Sequence, residues 1–148
     1  VELYPSYLIY ENDLILALTR PYIADGLKIS KCPKSYNRSL LNQRVAAIRV
    51  YSQFSQDYIY EFLRSSIVLD KYKSMFAGKI QQPNLKKEDV THLTVPIPPF
   101  EEQKEIVSKV NQLMSWCDEL EQKIEKRDSY QKRIIQAVVK LAFTTIKV

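Results

Sequence analysis

Few residues in this chain could carry covalent or metal chemistry. His92 is the only histidine, and the two cysteines, Cys32 and Cys117, stand far apart in segments of different kind. A histidine-based metal site would lack partners, and neither a zinc knuckle nor a disulfide framework can be assembled. A serine or cysteine nucleophile would have only His92 to serve as its base. Gly26 and Gly78 are the sole glycines, so neither a Walker loop nor a glycine-rich dinucleotide turn can be built. Glu121-Gln122-Lys123 has the Glu-x-Lys form used by some metal-dependent nucleases. No acidic strand residue upstream completes a metal site around it, so it reads as solvated helix charge. The expectation is a chain with no metal, no cofactor and no catalytic activity.

Pro98-Pro99-Phe100 is similar to the Asn/Asp-Pro-Pro-Phe/Tyr motif of amino-methyltransferases, in which the Asn or Asp accepts hydrogen bonds from the target amine. Here that position is Ile97, which cannot accept them, and no glycine-rich strand end for S-adenosylmethionine is present. What remains is charge. Residues 20–87 hold 13 Lys+Arg against Asp25, Asp57, Glu61 and Asp70, a balance of +9 within a chain of net charge +5. A local excess of that size favours a polyanionic partner, although an ordinary solvated surface could also carry it.

The elements that must hold these residues change character at Pro96-Ile97-Pro98-Pro99. Two consecutive prolines continue neither a helix nor a central strand. Before the break lie nine of the ten tyrosines; after it there is neither proline nor glycine. In the first part, Tyr7–Tyr10 and Leu14–Thr19 read as strands around an Asn12-Asp13 turn. The unbroken apolar run from Leu14 to Leu18 suggests burial on both faces. Arg20–Asn42, punctuated by Pro21, Gly26 and Pro33, reads as loops. Val45–Val50 reads as a further strand. Ser55 is the expected N-cap of a short helix with Asp57 in its first turn and Ile59, Phe62 and Leu63 on its apolar face. A second short helix is expected over Ile67–Phe76, a brief turn capped by Asn84 through Asp89, and a strand over Leu93–Ile97. Strands mixed with short helices give an α+β class, with residues 1–100 as one domain and 101–148 as a long helix.

That helix carries a seam: Ile106, Val110, Leu113, Cys117, Leu120, Ile124, Arg127, Gln131, Ile134, Val138 and Leu141 follow one another at alternating spacings of four and three. A heptad stripe of this length predicts a helix packed along another long helix. One helix lying on a globular core shows similar spacing, but the preceding hundred residues are too few to cover a rod of about 64 Å at 1.5 Å per residue. No apolar run approaches the roughly 20 residues of a membrane span, and Val1-Glu2-Leu3-Tyr4-Pro5 has no signal-peptide character. A cytoplasmic protein without membrane contact is therefore expected.

Gly78-Lys79-Ile80-Gln81-Gln82-Pro83-Asn84-Leu85 is followed by Leu93-Thr94-Val95-Pro96-Ile97-Pro98-Pro99-Phe100-Glu101-Glu102-Gln103 and then by Ile106–Val110, Leu113-Met114 and Cys117–Leu120. This order resembles the end of a target-recognition domain running into the spacer helix of type I restriction–modification specificity subunits. Upstream, Glu11-Asn12-Asp13-Leu14-Ile15-Leu16 resembles the family's Gly-Asp-Ile/Leu strand start, and Leu41-Asn42-Gln43 its Asn-Gln element. The family's glycine is replaced by Asn12, which tolerates a positive φ better than most residues. Few residues precede this motif, so the domain is expected to be incomplete, as in a fragment or half-subunit.

The resemblance implies a DNA-recognition module. Each recognition domain would read one half of a split duplex target. The helix would act as spacer, pair with a second copy or with the other half of the subunit, and dock the modification subunits and, through them, the restriction subunits. Lys and Arg would hold phosphates while polar side chains on loops read base edges. The candidates are Arg20, Lys28, Lys31, Arg38 and Gln43, then Lys79, Gln81, Gln82 and Asn84, with arginine suited to guanine and Asn or Gln to adenine. Gln43 and Asn84 could equally satisfy backbone groups or cap a turn. Tyr22 and Tyr36 could contact sugars or pack at the rim of the core. Two rivals are a coiled-coil dimerisation module whose head binds protein, and a nuclease or methyltransferase fragment.

Overall fold

The computed structural model describes residues 7–24, 26–78 and 82–145, with side chains up to residue 140. The elements in chain order are β1 (Leu14–Ala17), β2 (Tyr22–Ile23), β3 (Gly26–Leu27), β4 (Ile29–Lys31), a 3-10 turn (Lys34–Tyr36), β5 (Val45–Ile48), α1 (Gln56–Arg64), α2 (Ser66–Phe76), α3 (Lys87–Thr91) and α4 (Phe100–Thr145). The mixed α+β architecture ends in one long helix. Its 46 residues make it about 69 Å long at 1.5 Å per residue. Residues 1–107 form one compact unit and 108–148 another, so the first two turns of α4 belong to the head.

The head is organised on a three-stranded antiparallel sheet with β1 between β4 and β5. Leu14 and Leu16 point inward and are fully buried, while Ile15 and Ala17 on the opposite face are half-buried. The run is therefore fully covered on one face and partly covered on the other, and its alternation is set by the pleat. Tyr58, Ile59 and Leu63 of α1 and Val68 and Tyr72 of α2 complete the core with Leu27 and Leu85. Ser55 caps α1 as its sequence position predicts, its hydroxyl accepting the N–H of Tyr58 at 3.3 Å. That bond satisfies one of the donors a helix start leaves orphaned.

The structure corrects several expectations. Arg20–Asn42 is not loop alone. It supplies the β2–β3 hairpin and β4, whose Ile29 pairs with Leu16 and Lys31 with Leu14. Tyr7–Tyr10 is not a strand. Leu8 makes one isolated bridge to Leu40, and Ile9 exchanges hydrogen bonds with Arg38 and Ser39. Arg38 there adopts φ 63°, which interrupts regular pairing. Leu93–Ile97 is irregular. Pro96 and Pro98 have no N–H to give a ladder, and Leu93 and Val95 simply pack against the core. Asn84 caps nothing. α3 begins at Lys87, and its start is held by the Asp89 carboxylate, which accepts the Lys86 N–H at 2.7 Å.

Candidate nucleic-acid interface

Three segments distant in sequence converge where β1 ends. The N–H of Leu18 donates to the Arg44 carbonyl at 2.8 Å, and that of Ala17 to the Lys28 carbonyl at 3.0 Å. On the far side Leu85 donates to the Leu18 carbonyl at 2.8 Å, Arg20 donates to the Pro83 carbonyl at 2.9 Å, and Thr19 bridges Asn84. Residues 20–24, 26–28, 42–45 and 82–85 are thereby held at one end of the sheet by backbone bonds, which no side-chain replacement removes directly.

Of the nine residues expected to meet nucleic acid, five lie here. Arg20, Gln43, Gln82 and Asn84 are exposed and Lys28 is half-buried. Among the described residues neither Arg20 nor Lys28 makes an ion pair. Arg20 takes φ 49°, a left-handed conformation uncommon outside glycine, as the chain turns from β1 into the β2–β3 hairpin. Gln43 sits at the tip of a turn closed by Asn42, whose Oδ1 accepts the Arg44 N–H at 3.0 Å. The Asn of the Asn-Gln element thus builds the turn, and the Gln is left facing solvent. Arg44 belongs to this cluster but not to the nine residues expected from sequence: its place in the local charge excess is visible there, whereas its backbone meets Leu18, two residues before Arg20, only through the pairing of β5 with β1.

Lys31 and Arg38 stand at the other end of the sheet. Lys31 is opposite Leu14 and forms an ion pair with Asp57 at 2.6 Å while lying 4.8 Å above the Tyr60 ring. Arg38 donates its N–H to the Ile9 carbonyl at 2.8 Å. Tyr22 packs at the edge of the core, and Tyr36 is exposed. Lys79 and Gln81 lie outside the described residues.

At that same end Asp13 is buried, with a side chain 4% accessible. Both its oxygens are taken by Arg49, at 2.9 and 2.7 Å, and the Tyr10 N–H donates to it at 2.8 Å. Arg49 also lies 4.6 Å over the Tyr10 ring. Burial alone would raise the Asp13 pKa. The Arg49 hydrogen bonds, the Tyr10 N–H and the guanidinium charge outweigh it and hold the carboxyl below its ordinary value. Asn12, at φ 71°, supplies the left-handed turn that the family's glycine would make, so this motif builds the start of β1.

Among the described residues, no cluster of three or more His, Cys, Asp or Glu side chains could hold a metal, and no helix is long and apolar enough to cross a membrane. A family model for the type I restriction modification DNA specificity domain matches residues 2–127. The chain is 28% identical over 140 residues to the type I restriction enzyme EcoAI specificity subunit of Escherichia coli, covering 94% of this chain and 23% of that protein. Its fold matches the crystal structure of the HsdS subunit from Thermoanaerobacter tengcongensis with TM-score 0.66 and 27% identity, covering 78% of this chain and 29% of that one. A chain from a structure concerning complex assembly and conformational transition of the type I R-M system matches with TM-score 0.65 and 27% identity, covering 80% of this chain and 30% of that one. This sequence thus spans about a quarter of the length of EcoAI. With the family model extending over most of its length, the chain belongs to the type I restriction modification DNA specificity domain family.

Proposed function

We propose that this domain reads one half of a split duplex DNA target as the recognition module of a cytoplasmic type I specificity subunit. In this reading α4 sets the distance to the other half. It also offers the surface on which modification subunits, and restriction subunits through them, assemble. The observation that carries the reading is the convergence of Arg20, Lys28 and Arg44 with the amides of Gln43, Gln82 and Asn84 at one end of β1. Cations that form no ion pair among the described residues suit phosphates, and the amides and Arg20 suit base edges. Lys31, already paired with Asp57, contributes less.

Binding of labelled duplex by the complete subunit, titrated with salt, tests this. Affinity should fall steeply between low and moderate salt. Lys28→Ala or Arg44→Ala should reduce the log–log slope by about 0.9 for each phosphate that is no longer neutralised. Arg20→Ala should instead cost about 1–3 kcal/mol at one base pair and relax discrimination there. Affinity indifferent to salt would favour a protein-binding coiled-coil module and defeat the DNA reading.

The domain itself is proposed to catalyse nothing. Cys32 is buried, and burial, then the charges of Asp13 and Glu11, push its thiol pKa up, so it stays protonated and a poor nucleophile. A rigorously purified chain should neither transfer methyl groups from S-adenosylmethionine nor cleave DNA with magnesium. Either activity, tracking with the protein through purification, would overturn this.

A further inference from the structure

Gln103 stands in the first turn of α4, where a solvated polar residue would be expected, yet it is 1% exposed. Its Oε1 accepts the N–H of Ser55 at 2.8 Å, and its Nε2 donates to the Pro98 carbonyl at 2.8 Å. Ser55 is itself the N-cap of α1. One buried amide therefore ties the start of α4 to the start of α1, 48 residues earlier, and to the proline turn before it. Beside it the Tyr58 hydroxyl donates to the Pro96 carbonyl at 2.9 Å. Burial, then the charge of Glu102, raises the pKa of that phenol, so it remains a donor. The site needs an acceptor on one side and a donor on the other, and the Gln103 amide supplies both. A buried, fully satisfied amide is a strong positional constraint, since each bond removed leaves a backbone group without a partner.

We propose that Gln103 is a positioning residue: it locks the first two turns of α4 to the head. Resting on the proposed reading of a split DNA target, this lock makes the length of the gap between the two half-targets a recognised quantity. A joint that pivots would let the same helix accept several gap lengths.

Two measurements test it. The first uses the chain itself, spin-labelled at Asp70→Cys on α2 and at Glu105→Cys, exposed in the first turns of α4, in a Cys117→Ser background and diluted in unlabelled chain. A narrow distance distribution is expected, broadened clearly by Gln103→Leu. Gln103→Glu, which keeps the acceptor for Ser55 and loses the donor to Pro98, should broaden it less and covers the case in which the leucine variant fails to fold. Unchanged distributions in both variants overturn the joint. The second measurement uses the complete subunit and duplexes whose gap is native, one base pair longer or one base pair shorter. Gln103→Leu should weaken binding to the native gap tenfold or more and shrink the preference for it over the altered gaps. A residue that merely stabilised the head would lower binding to all three alike, so an unchanged gap preference overturns the spacing role. If the unsubstituted subunit bound no DNA, the recognition reading would fall, while the distance measurement would still decide the joint.

Discussion

Replacing Leu120 with aspartate is expected to turn a self-associating chain into a monomer at tens of micromolar. In the single chain the seam is open to water: Ile106 is 37% exposed, Leu113 45%, Leu120 57%, Ile124 50%, Ile134 63% and Val138 58%. Covering a large apolar side chain completely is worth about 1.5–3 kcal/mol, and these side chains, half-covered by their own helix, would gain about half of that each. Six or more in each chain can exceed the cost of association, about 4–15 kcal/mol. An antiparallel pair brings the central Arg127 and Gln131 of both chains together. Arg127 already holds Asp128 at 2.8 Å, so its charge would enter the pair accompanied. A carboxylate at position 120 would be buried without a partner at a cost of several kcal/mol, which weakens the dimer about a hundredfold or more. Sedimentation of both chains decides it. A native chain that sediments as a monomer, or a variant dimer as tight as the native one, would sink the idea. The head, whose core lies within residues 1–107, should melt at the same temperature in both.

How legible each part was follows from how local its causes are. The long helix and the Ser55 cap could be read directly, because heptad spacing and a capping hydroxyl act over a few residues. The β4 strand could not, because three residues become a strand only when Leu16 lies opposite Ile29. Pro21, Gly26 and Pro33 made the surrounding stretch resemble plain loop. The apparent strand at Leu93–Ile97 failed for the converse reason: Thr94, Val95 and Ile97 are β-branched and suit a strand, but Pro96 within it and Pro98 just after it have no N–H for pairing. In the candidate interface the side-chain chemistry of Arg20, Gln43 and Asn84 was visible and their meeting place was not. It depends on backbone pairing between segments more than 20 residues apart. Gln103 and Asp13 were hidden in the same way. Each is a polar letter in a motif whose burial depends on a partner 48 or 36 residues away.

Asp13 and Arg49 carry the sharpest prediction for stability, because the native head and Arg49→Ala should respond to pH with opposite slopes, while Asp13→Ala loses the dependence that Asp13 supplies. In the native head the Asp13 pKa is depressed. Its contribution is therefore fully present above the ordinary aspartate value of about 3.9 and is lost as pH falls through the lower folded value. Asp13→Ala removes that contribution and flattens the acid limb. The guanidinium it leaves behind is 59% accessible and can turn to water. The cost should then be about 2–3 kcal/mol, below the 3–5 kcal/mol typical when both partners are buried. Arg49→Ala is the harsher change near neutral pH, since it strands a carboxylate that is 4% accessible with only the Tyr10 N–H as donor. Burial, now opposed only by the Tyr10 N–H, should raise the Asp13 pKa above its unfolded value. A raised carboxyl pKa favours the folded state at low pH and loses that advantage as pH rises through it. The Arg49→Ala head should therefore gain stability as pH drops from neutrality towards about 4, where the native head gains none from this pair. Thermal melts of the two variants and the native chain across that range read both slopes. Parallel curves for native and Arg49→Ala would show that Asp13 does not depend on Arg49, and that the buried pair is not what fixes the start of β1.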